Sequence, residues 1–277
     1  MKKILLFMAA ALTVATIASC SKDDDKDDNK KPDDTEKPDP KPDPVEEDLI
    51  TIDGKFDDWA KITDAATASR ASENIGWMQT DNQRIDALKT LKVTADGSYI
   101  YLYVECDLTV EYQGGTSWDG SELGKAFAGP IDIYIDADAN ETTGGIYWTW
   151  VPIGWEYMIE AAGAFSTEGP IADAGTFQFT GEDQTDIWAV NPPAREDISR
   201  DGLFNGISVK DGDTMKVEIS IVRAFLPKIT GNKINIGVLA QSTNWTLHGL
   251  LPQIAQTTQS LGDGTCGTLA VTLPAAD

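Results

Sequence analysis

Residues 90–108, TLKVTADGSYIYLYVECDL, alternate apolar and polar positions on both sides of Asp96-Gly97, and this segment constrains the fold more than any other. A period of two is the mark of a strand with one buried face, and Asp-Gly between two such runs closes an antiparallel hairpin. The pattern recurs in IDIYID at Ile131 to Asp136 and in TMKVEISI at Thr214 to Ile221, which follows a second turn at Asp211-Gly212. WEYMIEA, TFQFT, DIWAV, NGISVK, KINIGVLAQ, NWTLH and TLAVTL are further short candidates; only VRAFLPKI suggests a short helix, cut off by Pro227. Many short strands with turns between them predict an all-β fold, an antiparallel β-sandwich of jelly-roll or immunoglobulin-like type with few short helices.

The same period assigns faces. Met215, Val217, Ile219 and Ile221 are expected in the core, with Lys216, Glu218 and Ser220 toward water, and Ile131, Ile133 and Ile135 are expected to be buried. In YIYLYVEC, Ile100, Leu102, Val104 and Cys106 suit one face, while Tyr99, Tyr101 and Tyr103 form a ladder on the other. That ladder is either a binding platform or a surface covered by a loop or by cross-strand partners.

Ahead of this pattern the chain changes character. Lys2 and Lys3 precede the apolar run ILLFMAAALTVATI, which ends in small residues, so residues 1–19 read as an export signal. Ile17-Ala18-Ser19-Cys20 resembles the lipobox of bacterial lipoproteins, which implies that Cys20 becomes a lipidated N-terminus carrying palmitate-type chains. More than one chain makes such an anchor stable, since each buried methylene adds roughly 0.8 kcal/mol. The acidic run Ser21 to Asp28 resembles the export tag of surface lipoproteins of Bacteroides-type bacteria, which implies the outer membrane with the protein facing the cell exterior. Residues 20–48 then form a Pro-, Asp- and Lys-rich stalk that cannot bury enough apolar area to fold, and from Ser21 to Asp48 it reaches roughly 85 Å in a polyproline conformation. Residues 49–277 remain for the sandwich, a length one all-β domain fills.

That domain carries 14 basic against 32 acidic residues, a net charge of −18, which makes nucleic acid and anionic lipid poor partners. With Cys20 set aside, Cys106 and Cys266 are either one disulfide or separate thiols, Cys106 falling where a small buried thiol also fits. His248 is the sole histidine; it is either a general base or, after an alternating strand, a structural hydrogen-bonder.

ITIDGKFDDWAKI, the ADGSYIYLYVECD hairpin, and IDIYIDADANETTGG followed by WEYMIEA together resemble the family 9 carbohydrate-binding modules and their DOMON-like relatives. The resemblance spans most of residues 50–273; it implies a β-sandwich and a site where tryptophans clamp a sugar. On any reading, Asp53-Gly54 makes a tight turn, Asp57 can accept backbone hydrogen bonds there, and Trp59 plugs the end of the sandwich.

Asp136-Ala137-Asp138-Ala139-Asn140 places alternate oxygen side chains on a tight loop, as calcium requires. Asp136, Asp138 and Asn140 are therefore candidate ligands of a structural calcium, although the twelfth position holds Tyr147 instead of glutamate, and an Asx-rich hairpin turn explains the same residues.

Sugar recognition needs flat aromatic faces for C–H groups, with amides and carboxylates to meet hydroxyls. Of the 8 tryptophans, several stand in polar or glycine-rich contexts that read as loops: Trp77, Trp118, Trp148, Trp150, Trp155 and Trp245. Trp77, Trp118, Trp150 and Trp245 are the candidate ligand-binding rings, with Asn74, Gln79, Asp119 and Asn244 as polar partners; Trp188 in DIWAV is assigned to the core. No GxSxG elbow, HExxH or phosphate-cradling glycine loop occurs, so no catalytic residue is assigned. These readings converge on a surface lipoprotein that captures poly- or oligosaccharide without chemistry, beside a glycan importer or hydrolase. A glycosidase using two of the many carboxylates, and a protein-binding adhesin, are the alternatives.

Overall fold

In the computed structural model, residues 48–276 are described apart from 71–77, 80–82, 85–86, 110–129, 148–150, 166, 173, 242–246 and 255–264, with backbone alone for 78, 79, 83 and 84. The strands in chain order are β1 (Ala66–Ser69), β2 (Met78–Gln79), β3 (Gln83–Arg84), β4 (Leu88–Ala95), β5 (Tyr99–Asp107), β6 (Ile131–Asp136), β7 (Gly145–Tyr147), β8 (Val151–Trp155) and β9 (Tyr157–Ala161). They continue with β10 (Gly169–Pro170), β11 (Ala174–Phe179), β12 (Arg195–Asp197), β13 (Phe204–Asp211), β14 (Thr214–Val222), β15 (Lys233–Gln241), β16 (Leu247–Leu251) and β17 (Leu269–Thr272). One sheet runs β1-β4-β5-β14-β13-β10 and the other β12-β11-β9-β6-β15-β16, with β17 also paired to β15. Every pairing in both sheets is antiparallel. The expected β-sandwich is therefore present, and VRAFLPKI contributes only the 3₁₀ turn Arg223–Phe225.

The Asp96-Gly97 hairpin forms in the expected register, with Ala95 opposite Ile100 and Val93 opposite Leu102. Asp96 holds it: Oδ1 accepts from the amides of Ser98 (2.9 Å) and Tyr99 (2.7 Å), and Oδ2 accepts from the Tyr101 hydroxyl at 2.6 Å. Between the sheets, Leu102, Val104, Val217 and Ile219 from one side meet Ile133, Ile159, Ile236 and Val238 from the other, all fully buried. Burying each such side chain contributes roughly 1.5–3 kcal/mol before entropy is counted.

Both outer faces are covered as well, which alternation alone did not reveal. Residues 50–62 lie over the first sheet, where Ile50 and Trp59 are buried with Tyr101 and Tyr103; the tyrosine ladder is thus covered by a loop. Glu218 and Ser220, expected in water, are buried beneath the same segment. Glu218 Oε1 accepts from the amides of Asp53 at 2.8 Å and Gly54 at 2.5 Å, which ties the Asp53-Gly54 turn to β14. Asp58, and not Asp57, takes a backbone bond in this segment, from the Thr51 amide at 3.2 Å.

Over the second sheet lie the β7–β8 hairpin and residues 177–194, which enclose Trp155, Tyr134, Phe179 and Ile187 in a second cluster. Trp155, read as a loop tryptophan, is fully buried there. DIWAV is a bridge and turn instead of a strand, and Trp188, expected in the core, is 48% exposed. Cys106 and Cys266 are both buried free thiols, so the disulfide alternative is set aside. All of these contacts lie within one compact unit, Glu46–Asp277.

Candidate functional site

Two places on the second sheet concentrate polar chemistry. The first is the acidic turn after β6. Asp136 ends the strand fully buried, Asp138 stands exposed in the turn, and Glu156, 6% exposed, enters from the β8–β9 junction. One carboxylate oxygen from each lies within 4.8 Å of the others. Asp136 Oδ2 accepts from Asn235 Nδ2 at 2.8 Å, and the Asn140 amide donates to Asp136 Oδ1 and Asp138 Oδ1, both at 3.0 Å. Glu156 Oε2 accepts from the Ala137 amide at 2.7 Å.

Burial drives the chemistry here. It raises Asp136 to about 6 against the pull of Asn235 and Asn140, and raises Glu156 to about 7 against the Ala137 amide, with the neighbouring aspartates adding to both shifts. Three crowded carboxyl groups are relieved either by protons or by a hard cation that takes oxygen ligands. As an all-oxygen donor set they fit such a cation. Asn140 Oδ1, the third candidate, accepts from Thr142 N at 3.2 Å and Thr142 Oγ1 at 2.8 Å, and Glu156 joins the two aspartates as a further carboxylate. Sequence reasoning missed Glu156 because it stands twenty residues from Asp136. Its one visible signal was an acid inside the apolar run VPIGWEYMIE.

Two glycines close the turn against the hairpin beneath it. A Cβ on Gly154 (φ +67°) would stand 2.3 Å from the Thr143 carbonyl oxygen, and one on Gly144 (φ +70°) would stand 2.5 Å from Glu156 Oε1.

The second place is the outer face of the same sheet. Inward Ile131, Ile133 and Ile135 oblige Asp132, Tyr134 and Asp136 to point outward, and Asp132 is 2% exposed. Directly opposite Asp132 on β9 stands Glu160, so their Cβ atoms are about 5 Å apart on one face. Burial pushes the Asp132 carboxyl well above its ordinary range, Glu160 adds to the rise, and Arg195 opposes it. Asp132 Oδ1 is buried without a hydrogen-bond partner among the described residues.

Arg195 stands at the edge strand β12. Its guanidinium carbon lies 4.0 Å from the Phe177 ring centre and 4.6 Å from that of Trp188, and its Nη1 is buried without a hydrogen-bond partner among the described residues. Phe177 lies flat because Gly175, next to Glu160 in the sheet, has no side chain: a Cβ there would meet the ring at 2.8 Å. Tyr147 stacks on Tyr134 at 6.3 Å, and its hydroxyl meets Gln241 Nε2 at 3.5 Å.

Trp77, Trp118, Trp150, Trp245, Asn74, Asp119 and Asn244 lie outside the described residues, and Gln79 is described by backbone alone in β2. Tyr147 pairs with Val151 on either side of residues 148–150, and Gln241 with Leu247 on either side of 242–246. His248 is buried in β16 and desolvation lowers its pKa to about 4, so it is neutral at pH 7, as suits a structural residue.

No family model and no curated protein matches the chain. Among solved structures, the chain is similar to a family 9 carbohydrate-binding module from Caldicellulosiruptor kristjanssonii in complex with cellotriose, at 10% identity, over 82% of this chain and 91% of that one, with a TM-score of 0.37.

Proposed function

We propose that the protein is a cell-surface lipoprotein whose sandwich binds a poly- or oligosaccharide at the outer face of the second sheet. The observation that carries this reading is the unanswered polarity of that face: among the described residues, a buried carboxyl oxygen on Asp132 and a buried guanidinium N–H on Arg195 have no hydrogen-bond partner, beside exposed Trp188. Natural proteins rarely leave buried polar atoms unbonded unless a ligand or water completes them. Polar groups beside aromatic rings are the composition that sugar recognition demands. Trp150 and Trp245, three and four residues along the chain from Tyr147 and Gln241, are the proposed clamping rings. Trp77, Trp118, Asn74, Gln79, Asp119 and Asn244 complete the proposed set on their sequence contexts alone.

The acidic turn is proposed to take calcium, which would hold the turn after β6 against the β8–β9 junction without entering any reaction. Lipidated Cys20 and the stalk would present the domain outside the outer membrane, where captured glycan passes to a neighbouring importer. A glycan array probed with Glu46–Asp277 tests the central reading: retention of at least one glycan supports it, and retention of none refutes it. Palmitate incorporation lost in Cys20→Ser tests the anchor.

One observation favours a second reading, a glycoside hydrolase-type enzyme. Asp132 and Glu160 are cross-strand neighbours, and Asp132 is held toward its protonated form, a disposition that suits an acid paired with a second carboxylate. Release of reducing sugar by the same fragment would establish it, and retention without release would exclude it.

A further inference from the structure

The β4–β5 hairpin, the end of β14 and the 3₁₀ turn Arg223–Phe225 enclose a cavity of about 350 Å³, a volume in the range of small-molecule sites. Val222, Leu226, Pro227 and Ile229 give it apolar walls beside the Tyr99 ring. Arg223 is the one charged residue among the described residues that line it, and no carboxylate lines it, in a domain with 14 basic against 32 acidic residues.

Arg223 is 9% exposed, and no acidic side chain forms an ion pair with it among the described residues. Its partners are neutral: Nη1 donates to the carbonyls of Asp96 and Gly97, and Nη2 donates to the Pro274 carbonyl at 3.1 Å. The nearby Asp96 carboxylate is taken up by the Ser98 and Tyr99 amides and the Tyr101 hydroxyl. Nε is buried without a hydrogen-bond partner among the described residues. A guanidinium carries five N–H donors, and the three carbonyl bonds leave Nε–H and one N–H of Nη2, the terminal nitrogen on the Nε side. Two neighbouring donors on one edge of a guanidinium match the two oxygens of a carboxylate. Carbonyl dipoles also leave the full positive charge of Arg223 without a counter-charge, a costly state for a buried cation.

We infer that this cavity binds a small organic monocarboxylate, its carboxylate on the Nε–Nη2 edge of Arg223 and its apolar body against Val222, Leu226 and Ile229. One negative charge balances the one cation of the cavity. A phosphate monoester brings a second charge that nothing in the lining answers and that the acidic domain repels. A neutral molecule leaves the guanidinium uncompensated, and an ammonium repels it. The inference does not depend on glycan binding, since its residues belong to the first sheet and the turn after it.

The test titrates the full chain with benzoate and hexanoate, with their amides benzamide and hexanamide, and with phenyl phosphate, followed through backbone amide signals. At least one carboxylate should bind saturably at millimolar concentration and shift residues 97–99 and 222–229, with its amide and phenyl phosphate each weaker by tenfold or more. Ala224→Trp, at an exposed lining position, fills the cavity and leaves the carbonyl bonds of Arg223 in place, so it should weaken that carboxylate at least fivefold. Arg223→Gln should abolish the preference for acid over amide, and Lys210→Met on β13 should change nothing. Circular dichroism confirms folding, and Ala224→Trp carries the comparison if Arg223→Gln fails to fold. An amide or phenyl phosphate bound as tightly as the acid, wild-type affinity in Ala224→Trp, or no carboxylate bound at millimolar concentration overturns the inference. Each of these outcomes leaves the glycan reading to its own array.

Discussion

Stability should fall as pH rises through neutrality, and the acidic turn is the cause. Asp136 and Glu156 bind their protons more tightly in the folded chain than in the unfolded one, at about 6 against 3.8 and about 7 against 4.5. The stability they contribute is complete below about pH 4 and is lost as pH climbs through 6 and 7. Shifts of this size correspond to about 3 kcal/mol each at 1.4 kcal/mol per pH unit. Asp138 is exposed and opens the turn to solvent screening, so about 2–3 kcal/mol for the pair together is the reasonable magnitude. For a domain of this size that is a fall in Tm of about 5–10 °C between pH 5 and pH 8. Glu156→Gln keeps an acceptor for the Ala137 amide and removes one charge, so with chelator at pH 8 it should raise Tm by about 2–5 °C and flatten the pH profile. Calcium should recover much of the loss in the wild type at pH 8, less at pH 5, and little in the variant. Thermal unfolding followed by circular dichroism reads all of these. A wild-type Tm that rises from pH 5 to pH 8 in chelator, or a Glu156→Gln variant less stable than wild type at pH 8, would refute the reasoning.

Glu218→Ala strips two backbone amides of their acceptor under buried cover and should cost about 1–3 kcal/mol, measured by chemical denaturation; no loss would mean that the Asp53-Gly54 turn is anchored otherwise. Gly154→Ala forces a side chain against the Thr143 carbonyl at positive φ and should destabilise by about 1–3 kcal/mol while abolishing the calcium response, seen in the same melts. Cys106 and Cys266 should react with a thiol reagent only after denaturation, and a reductant should leave Tm unchanged; immediate labelling would contradict their burial.

What the sequence disclosed was the inner half of each strand. Alternation picked out Val217 and Ile219, or Ile133 and Ile135, because the inter-sheet core imposes period two directly. The opposite faces were misjudged because Glu218 and Ser220 read as solvent residues until residues 50–62 fold over them, a contact between segments more than 150 residues apart. DIWAV failed for a related reason: short β-rich composition resembles a strand, yet Asp186 Oδ1 caps the Trp188 amide and turns the chain, leaving the indole on Arg195. At the acidic turn the aspartates were legible as a local motif, whereas Glu156 joined them only through the β6–β9 pairing that brings residues 135 and 157 together. The Asp132–Glu160–Arg195 grouping had no local signature, since its members come from three strands and only cross-strand register unites them.

The most direct test of glycan capture is a titration of isotope-labelled Glu46–Asp277 with the array's best-retained glycan, followed through backbone amide signals. The account predicts saturable shifts concentrated in residues 131–136, 157–161 and 174–179 and at Arg195, with residues 91–104 and 215–221 of the opposite sheet undisturbed. Shifts confined to that opposite sheet, or no shift at millimolar glycan, would contradict it.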